Sequence, residues 1–501
     1  MVNILLLIGT GHLGEDVLHK LPWAKHLNSE HQIHVVTRID SDIHLSAAFN
    51  CKMGDSYLHE IGSSIAELKS ISKDYSLIYS SEFFGKKYKA ADVEKIQSWL
   101  GISFKYISSF DRRFYDRDTF QDKRPENLIN NYAAALVEFY KEYYESNSID
   151  VIINTIEDDL FSVIAYYVAK KMGVHVIGFM NGRFPKKGIM FCEDFKEPYI
   201  WNKDTINPES VMSQYTSSTI TGVDTMNKNI QFFDFASVKE NLKRVNIISN
   251  YIKFRKDVCK IYSFEECIYR HNSILNEANS FIQKVVKRSL IKLIIKEPEH
   301  DDKYLFFPLH YMDDAQITFR EPLIDQYNLI YHISRALPSG YLLYVKPHPH
   351  YLGTDISFRK LLKISKLENV KIIIPSLPPI SIIKKSQGVI TINSTTGFEA
   401  MIMSCPVITF GHDFYCKKEL TYTIRDMNTL SESISMCLNC GNEKKSCQKF
   451  VSQIYNNTIW ISSLGDIYPS LTLSSNDGQN IAAALNIILK KYVTSQVAHK
   501  L

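Results

Sequence analysis

The C-terminal half of the chain alternates apolar runs with amphipathic segments. Runs rich in β-forming residues predict strands at 341–346, 369–375 and 388–392. The segments between them, 357–367 and PPISIIKKS, have the apolar spacing of helices. Repeated strand and helix units of this kind predict a parallel, doubly wound sheet.

The N-terminal half shows the same alternation. VNILLLI is followed by a glycine-rich turn and a helix, and further strands are predicted at 31–40, 148–155 and 174–179. A chain of 501 residues exceeds what one hydrophobic core normally organises. The predicted fold class is therefore α/β, with two Rossmann-like doubly wound domains facing a central cleft. Ligands of such sheets bind beyond the carboxyl ends of the strands.

Small polar residues open the helix that follows the strand at 388–392. In the NSTTG turn, Ser394, Thr395 and Thr396 supply hydroxyl groups beside helix amides that lack internal partners, and such a turn can hold a phosphate. Glu399, one turn into the helix, is placed to accept hydrogen bonds from ribose hydroxyls. Ordinary helix capping by the same residues is the alternative.

A His-Pro turn strengthens the phosphate interpretation. Prolines on both sides of His348 end the apolar run at 341–346, so a loop begins there. Lys346 is the last residue of that run, which places an ammonium and an imidazole at the carboxyl edge of the predicted sheet. We expect the two strands to be neighbours, so that both turns bind one phosphate.

The order of these motifs resembles that of a known group of enzymes. A His-Pro turn, a later Ser-Thr turn and a G-x-E-A helix leading to a Pro-Val strand are shared by GT-B glycosyltransferases of capsule synthesis. The chain is similar to the capsule-polysaccharide type, related to bacterial β-Kdo transferases, mainly over 303–426. The resemblance implies a GT-B fold and a CMP-type donor bound by His348, Ser394 and Thr395. One departure is Ser404, which stands where these enzymes usually have a glycine.

The chain divides into four segments on this interpretation. Residues 1–235 are the predicted N-terminal Rossmann-like domain on the acceptor side, and 236–300 are a largely helical, basic segment that ends in a polar hinge. Residues 301–476 are the predicted nucleotide-sugar-binding domain. The resemblance implies that the helix in 477–501 crosses back onto the first domain.

The loop after the predicted strand YLFFPL holds the candidate nucleophile. It contains Asp313 and Asp314, and in the β-Kdo transferases an acidic residue resembles Asp314 in position. A retaining transferase can use such a carboxylate to form a glycosyl-enzyme adduct. The glutamine that often precedes this acid is absent here. The alternative is that the two aspartates only solvate a turn.

Acidic residues also follow the strand at 148–155. Glu157 or Asp159 would protrude into the cleft as a general acid/base that deprotonates the acceptor hydroxyl. Capping of the next helix is the alternative, since carboxylates are stabilised at helix N-termini.

Two further motifs of the N-terminal half have alternative interpretations. Gly9, Gly11 and Gly14 spell G-x-G-x-x-G, which is typical of a dinucleotide site but also serves simply to bring a helix close to a strand. Arg183 and two lysines lie in the turn MNGRFPKKG. An arginine fork there would suit the carboxylate of an acidic sugar, and solvated surface charge is the alternative.

Composition narrows the class of protein. The net charge of +4 is too small to imply nucleic-acid binding, and no uninterrupted apolar stretch reaches the ~18 residues of a membrane span. We therefore expect a cytoplasmic protein with nine reduced cysteines, in which Cys437, Cys440 and Cys447 lack an obvious fourth zinc ligand. The basic amphipathic stretch 284–296 either lies on the inner face of an anionic membrane or packs as a helix.

The combined prediction is a metal-independent glycosyltransferase without a resident cofactor. It would transfer a CMP-activated ulosonic acid, Kdo-like or sialic-like, to a surface polysaccharide or lipopolysaccharide acceptor. Lys346, His348 and residues 394–396 would neutralise the departing phosphate, with Tyr415 as a lesser donor-site candidate. Two alternatives remain: a polyol-phosphate transferase that uses CDP-glycerol, and a non-catalytic scaffold or nucleotide-sugar sensor of envelope synthesis.

Overall fold

A computed structural model of the chain shows two large β-sheets with helices packed on their faces. The residues that it describes are 1–8, 13–37, 55–78, 83, 85–111, 114–116, 121–155, 159–184, 188–202, 290–310, 317, 321, 324–348, 358–440, 444–461 and 473–500.

The elements of the N-terminal half follow one another in short units. Its strands are β1 (Asn3–Ile8), β2 (Gln32–Thr37), β3 (Asp74–Leu77), β4 (Tyr115–Asp116), β5 (Gln121–Asp122), β6 (Val151–Thr155), β7 (His175–Asn181), β8 (Gly188–Glu193) and β9 (Glu197–Pro198). Its helices are α1 (Leu13–Leu27), α2 (Asp55–Ile71), α3 (Ala90–Leu100), α4 (Phe104–Ser108), α5 (Glu126–Ser146) and α6 (Leu160–Met172).

The C-terminal half has a denser alternation of strand and helix. Its strands are β10 (Ile295–Lys296), β11 (Tyr304–Pro308), β12 (Leu342–Lys346), β13 (Val370–Ile373), β14 (Gly388–Thr391), β15 (Val407–Thr409), β16 (Tyr422–Thr423) and β17 (Ile459–Trp460). Its helices are α7 (Gln326–Ala336), α8 (Phe358–Ile364), α9 (Pro379–Ile383), α10 (Thr395–Ile402), α11 (Leu430–Cys440), α12 (Lys444–Asn456) and α13 (Ser475–Lys500).

Each half builds its own doubly wound sheet. The first sheet has the order β17-β8-β7-β6-β1-β2-β3, with β9 beside β8, and is parallel from β7 to β3. The second has the order β10-β13-β12-β11-β14-β15-β16 and is parallel throughout. The fold class predicted from the sequence, GT-B with two Rossmann-like domains, is confirmed.

Alternate residues of the central strands enter two cores, one on each face of their sheet. In β1, Ile4 and Leu6 pack with α1 and α13, whereas Leu5 and Leu7 pack with α5 and α6. In β11, Phe306 packs with α10 and α12, and its neighbours along the strand pack with α7 and α11. A strand buried on both faces reads as a continuous apolar run, which explains why these strands were predicted without visible alternation.

The chain order of the strands creates a switch point in each sheet. From β11, the chain adds β12 and β13 on one side and then returns to place β14 on the other. From β1, it adds β2 and β3 on one side and then β6 and β7 on the other. Adjacent loops leave in opposite directions at such a point and open a crevice at the carboxyl edge. The polar residues after β11 and β14 flank the crevice of the second sheet.

The described end of the predicted basic helical segment includes a two-residue strand. Ile295 and Lys296 form β10 and pair in parallel with Ile372 and Ile373 of β13. The pattern LIKLIIK has helical spacing, but its β-branched residues also suit a strand. At this position, pairing with β13 favours the extended conformation over the helix. Residues 236–289 of the same segment lie outside the described residues.

The C-terminal segment returns to the first sheet. β17 pairs antiparallel with β8, and α13 packs along α1 through Ile481, Leu485 and Leu489. Gly478 permits the close approach of these helices, because a Cβ atom there would lie 2.7 Å from the carbonyl carbon of Pro22 in α1. No helix among the described residues is both long and apolar enough to cross a membrane.

Replacement of Gly478 by alanine tests this contact. Alanine favours a helix over glycine, but the added methyl group would meet backbone atoms of Pro22 that cannot rotate away. We expect Gly478→Ala to lower the free energy of unfolding by about 1–3 kcal/mol, measured by urea denaturation. Gly85→Ala is the matched control, since a Cβ there meets nothing within 4 Å. Equal stability of the two variants would mean that α13 does not lie against α1 as described.

Candidate functional site

The carboxyl ends of three adjacent strands bring the predicted phosphate-binding residues to one edge. These strands lie in the order β12-β11-β14. The expectation that β12 and β14 are direct neighbours was wrong, because β11 lies between them and pairs with both. The crossing of the chain after β13 cannot be read from local pattern. The residue added by this arrangement is His310, two positions beyond the end of β11.

His310 connects the end of β11 to the turn after β14. Its backbone is held by Gln326 of α7, whose Oε1 accepts from the His310 N–H at 2.9 Å and whose Nε2 donates to the His310 carbonyl at 3.2 Å. Its Nε2 accepts a long hydrogen bond from the Asn393 N–H at 3.5 Å. The sequence alone predicts no role for His310, and only the strand order brings it against Asn393.

Lys346 is a buried cation at the same edge. It is the last residue of β12 and only 6% exposed. Burial lowers the pKa of its ammonium from 10.5 to about 8, and the negative charge of Glu399 in α10 partly opposes that shift. The ammonium is therefore still mainly protonated at neutral pH. It supplies a positive charge that bulk water screens poorly.

The turn before α10 departs from ordinary helix capping. Ser394 has the extended backbone of an N-cap, with φ −73° and ψ 158°, yet its side chain makes no capping hydrogen bond. Its Oγ is buried and has no hydrogen-bond partner among the residues that the structure describes. The capping alternative is therefore wrong for Ser394. A buried hydroxyl without a partner is costly, and it marks a place where a ligand oxygen could bind.

The floor of this turn is formed by Tyr415, which the sequence had suggested as a donor contact. Tyr415 is fully buried, and its hydroxyl donates to the carbonyl of Ser394. A Cβ at Gly397 would lie 2.6 Å from that hydroxyl oxygen, so glycine lets α10 rest directly on the tyrosine. Tyr415 thus supports the turn from beneath.

The other predicted donor residues differ in exposure. Thr395 is exposed, while His348, Thr396 and Glu399 are half-buried. His348 follows Lys346 by two residues, whereas the two threonines and Glu399 lie in α10 after Ser394. Ser404 has a left-handed backbone, with φ 56°. The position thus keeps a conformation that favours glycine, although its residue type differs from the usual pattern.

Two of the three predicted catalytic acids, Asp314 and Glu157, lie outside the described residues, as do Gly9 and Gly11 of the glycine motif. Residues that flank Asp314 are described. Ile317 is buried in the core beside β11, and the Glu321 carboxylate accepts from the His412 N–H at 2.6 Å. Described residues on both sides of Asp314, His310 and Glu321, therefore lie near the carboxyl edge of the second sheet.

The third acid, Asp159, is a helix cap. It is the N-cap of α6, and its Oδ1 accepts from the Ser162 N–H and from the Ser162 hydroxyl, both at 2.8 Å. Its exposure is 4%. The capping alternative is the one that this geometry supports, and the assignment of Asp159 as a general acid/base is corrected. A carboxylate before an apolar helix is satisfied locally by the first free amides.

Arg183 has a carboxylate partner within the chain. Its Nη2 lies 2.7 Å from Oδ2 of Asp413, and the two side chains are 5% and 0% exposed. The sequence suggested that Arg183 would bind an acidic sugar or remain solvated, and the structure instead buries it between the two domains. The two lysines of the same turn, at 186 and 187, lie outside the described residues.

Comparison with known proteins gives a family match over part of the chain and several relatives. Residues 226–431 match the profile of the family described as "Capsule polysaccharide biosynthesis protein". "Capsule polysaccharide export protein KpsS" of Escherichia coli is 29% identical over 178 residues, which cover 32% of this chain and 46% of that protein. "Capsule polysaccharide modification protein LipB" of Neisseria meningitidis serogroup A is 21% identical over 367 residues, 68% of this chain and 81% of that protein. The predicted resemblance to the capsule-polysaccharide type of GT-B glycosyltransferase is confirmed.

The extent of these matches differs. The chain spans less than half the length of the Escherichia coli relative, 46%. Among solved structures, "Thermosulfurimonas dismutans KpsC, beta Kdo 2,7 transferase" is 22% identical with a TM-score of 0.25, over 42% of this chain and 63% of that one.

The burial of Lys346 predicts how stability changes with pH. The folded-state pKa of about 8 lies below the ordinary value of 10.5, so the lysine destabilises the folded state below pH 8 and ceases to do so as the pH approaches 10.5. We expect Lys346→Met to raise the free energy of unfolding at pH 7 by up to about 3 kcal/mol. The gain is reduced by the loss of the electrostatic attraction between the ammonium and the Glu399 carboxylate. That advantage should shrink by roughly 1.4 kcal/mol per pH unit above pH 8.

The measurement is urea denaturation of both proteins between pH 7 and 10. Lys384→Met, which removes an exposed lysine of the same sheet's helical layer, should show no such slope. A stability difference for Lys346→Met that stays constant over this range would contradict the burial of the ammonium.

Proposed function

We propose that the chain is a glycosyltransferase of capsule polysaccharide synthesis that takes its sugar from a CMP-activated ulosonic acid. The observation that carries this proposal is the presence of two groups at the carboxyl edge of one parallel sheet: the buried ammonium of Lys346 and the buried hydroxyl of Ser394, which has no hydrogen-bond partner among the described residues. Both groups favour an anionic oxygen. The match to a family described as capsule polysaccharide biosynthesis, and the relatives named for capsule polysaccharide export and modification, support a capsule polysaccharide as the acceptor.

The phosphate of the donor would be neutralised by the protein itself. Lys346 would supply the positive charge that a divalent cation supplies in other transferases, and the first amides of α10 would donate to the phosphate oxygens. Ser394, Thr396 and His348 would add further donors. Because these groups are fixed before the donor binds, little reorganisation is needed when the sugar–phosphate bond breaks.

Glu399 has two roles in this proposal. Its charge raises the pKa of Lys346 against the effect of burial, which keeps the ammonium protonated at neutral pH. It would also accept hydrogen bonds from the ribose hydroxyls of the nucleotide. The carboxylate would therefore lie between the sugar of the nucleotide and the cation that binds its phosphate.

The chemistry of transfer would use two carboxylates. An oxygen of Asp314 would attack the anomeric carbon while its bond to the phosphate oxygen breaks, which releases CMP and leaves a glycosyl ester on the enzyme. Glu157 would then take the proton of the acceptor hydroxyl as that oxygen attacks the same carbon and frees the Asp314 carboxylate. Two displacements return the original anomeric configuration. The acceptor would be a growing surface polysaccharide or lipopolysaccharide.

Nucleotide binding tests the donor assignment. A ligand that binds only the folded state raises the melting temperature, so we expect CMP to stabilise the protein more than UDP, GDP or NAD at the same concentration. Lys346→Met and Ser394→Ala should each weaken CMP binding, the lysine variant by about tenfold to a hundredfold, since it loses a charged hydrogen bond. Lys384→Met is the control with an exposed lysine and should bind as the wild type does.

The pH dependence of the same measurement is a second check on Lys346. CMP affinity should fall as the pH rises through about 8, where the ammonium loses its proton. Stronger stabilisation by UDP or NAD than by CMP would overturn the donor assignment, and consumption of CDP-glycerol would favour the polyol-phosphate alternative.

Substitution of the acids tests the chemical step separately. Asp314→Asn and Glu157→Gln should bind CMP as the wild type does but transfer sugar at least about a thousandfold more slowly. Glu157→Gln should accumulate the glycosyl ester, visible as added mass on the intact protein, because the second displacement lacks its base. An active Asp314→Asn variant, or a product with inverted configuration, would show that Asp314 is not a nucleophile.

A further inference from the structure

A hairpin of the N-terminal domain reaches the turn 393–397 of the C-terminal domain. β7 and β8 pair antiparallel, and beyond the strands the Gly182 N–H donates to the Gly188 carbonyl at 2.9 Å. Arg183 and Phe184 therefore begin the connection between the two strands, at the end of the sheet that faces the second domain. Their contacts are made with residues of the C-terminal half.

Arg183 makes three kinds of contact there. Its Nη2 pairs with the Asp413 carboxylate at 2.7 Å, and its Nη1 donates to the carbonyl of Asn393 at 3.3 Å. Its guanidinium carbon lies 5.5 Å from the centre of the Phe414 ring, within the range of a cation–π contact. One side chain of the first domain thus joins the loop after β15 to the turn after β14.

The residue between the two domains is also held in an unusual backbone conformation. Arg183 has φ 57°, in the left-handed region that residues with a side chain seldom adopt. Such a conformation persists only where the surrounding contacts over-determine it. The neighbouring Phe184 provides further contacts, since its ring lies 5.5 Å from that of Phe398 in α10 and 5.4 Å from that of Tyr455 in α12.

The peptide groups at the start of the turn 393–397 are therefore restrained from both sides. The carbonyl of Asn393 accepts from Arg183 of the first domain, and its N–H donates to His310 of the second. Asn393 is itself fully buried. The next residue is Ser394, whose hydroxyl is aligned by the same stretch of backbone. Movement of Arg183 would therefore shift the Asn393 peptide group and the Ser394 hydroxyl together.

We propose that Arg183 and Asp413 form an interdomain clamp that positions the turn 393–397 against the N-terminal domain. Both are positioning residues, since they act through the turn and not on the reacting atoms. The clamp would align the donor phosphate, bound by one domain, with the acceptor held by the other. The importance of this alignment for transfer rests on the proposed function, whereas the restraint on the turn does not.

Amide hydrogen exchange of residues 393–397 tests the clamp without any ligand. Arg183→Gln and Asp413→Asn each remove one charge of the buried pair and keep the other. We expect each variant to raise the exchange rate of these amides at least about tenfold, while amides of β1 and β12 keep their rates. Thermal unfolding of each variant verifies that it is folded.

The double variant Arg183→Gln/Asp413→Asn measures the coupling between the two residues. It removes both charges of the pair, and its two amides can hydrogen-bond to each other, so its effect on exchange should be smaller than the product of the two single effects. Independent, multiplying effects would overturn the clamp. So would single variants in which the turn exchanges at the wild-type rate.

A second ion pair between the domains supplies the control. The Lys417 Nζ and a carboxylate oxygen of Glu197 lie 2.5 Å apart, and their side chains are 31% and 62% exposed; the described side-chain contacts of Lys417 are with Glu197 and with the Phe450 ring. Glu197→Gln should leave exchange at 393–397 unchanged. If it loosens the turn as much as Arg183→Gln does, general association of the domains explains the restraint and the clamp is wrong.

CMP affinity separates this inference from the proposed function. In a wild type that binds CMP, the single clamp variants should bind about tenfold more weakly and the double variant should recover part of that loss. If the wild type does not bind CMP, the donor assignment fails, and the exchange measurements still decide whether the clamp exists.

Discussion

Parallel pairing of strands that are buried on both faces is the constraint on which the site depends. In the second sheet every described strand runs in the same direction, so the residues that end β11, β12 and β14 must meet at one edge. Helices cover both faces of this sheet, so polar side chains of the strands are accommodated at the strand ends. The chain reverses its order of strand addition at β11, and this reversal opens a crevice between the ends of β11 and β14.

Polar groups in that crevice are held in states that the folded protein does not favour by itself. Lys346 remains cationic while almost fully buried, with Glu399 as its nearby opposite charge. The Ser394 hydroxyl is buried without a partner among the described residues. Each arrangement destabilises the folded protein and would be relieved by an anionic oxygen. Substitution of these residues should therefore change stability and ligand binding in opposite senses.

The two sheets are joined by more than a simple linker. Met180, Met190 and Cys192 of the first sheet pack into the same core as Phe306 and Tyr344 of the second. β17 and α13 then carry the chain back to β8 and α1. Above this apolar contact, the hairpin residues Arg183 and Phe184 touch the turn and helix of the proposed donor site. The geometry of that site is therefore shared between the domains.

Local pattern determined the elements of this protein. Apolar runs located the strands at 341–346, 369–375 and 388–392, because a strand buried on both faces needs an unbroken apolar sequence. The NSTTG and His-Pro turns likewise placed Ser394 and Lys346 at strand ends, since a helix start and a proline are marked by the residues themselves. The capsule-type resemblance followed from the order of the same motifs.

Only the tertiary structure decided which of these residues meet. The place of β11 between β12 and β14 brought His310 into the site, and sequence spacing contains no information about that crossing. Asp159 caps its helix because its carboxylate accepts from the Ser162 amide in the first turn of α6. Arg183 contacts Asp413, more than two hundred positions further along the chain. This contact depends on how the two sheets pack against each other, which the sequence pattern within either sheet does not show.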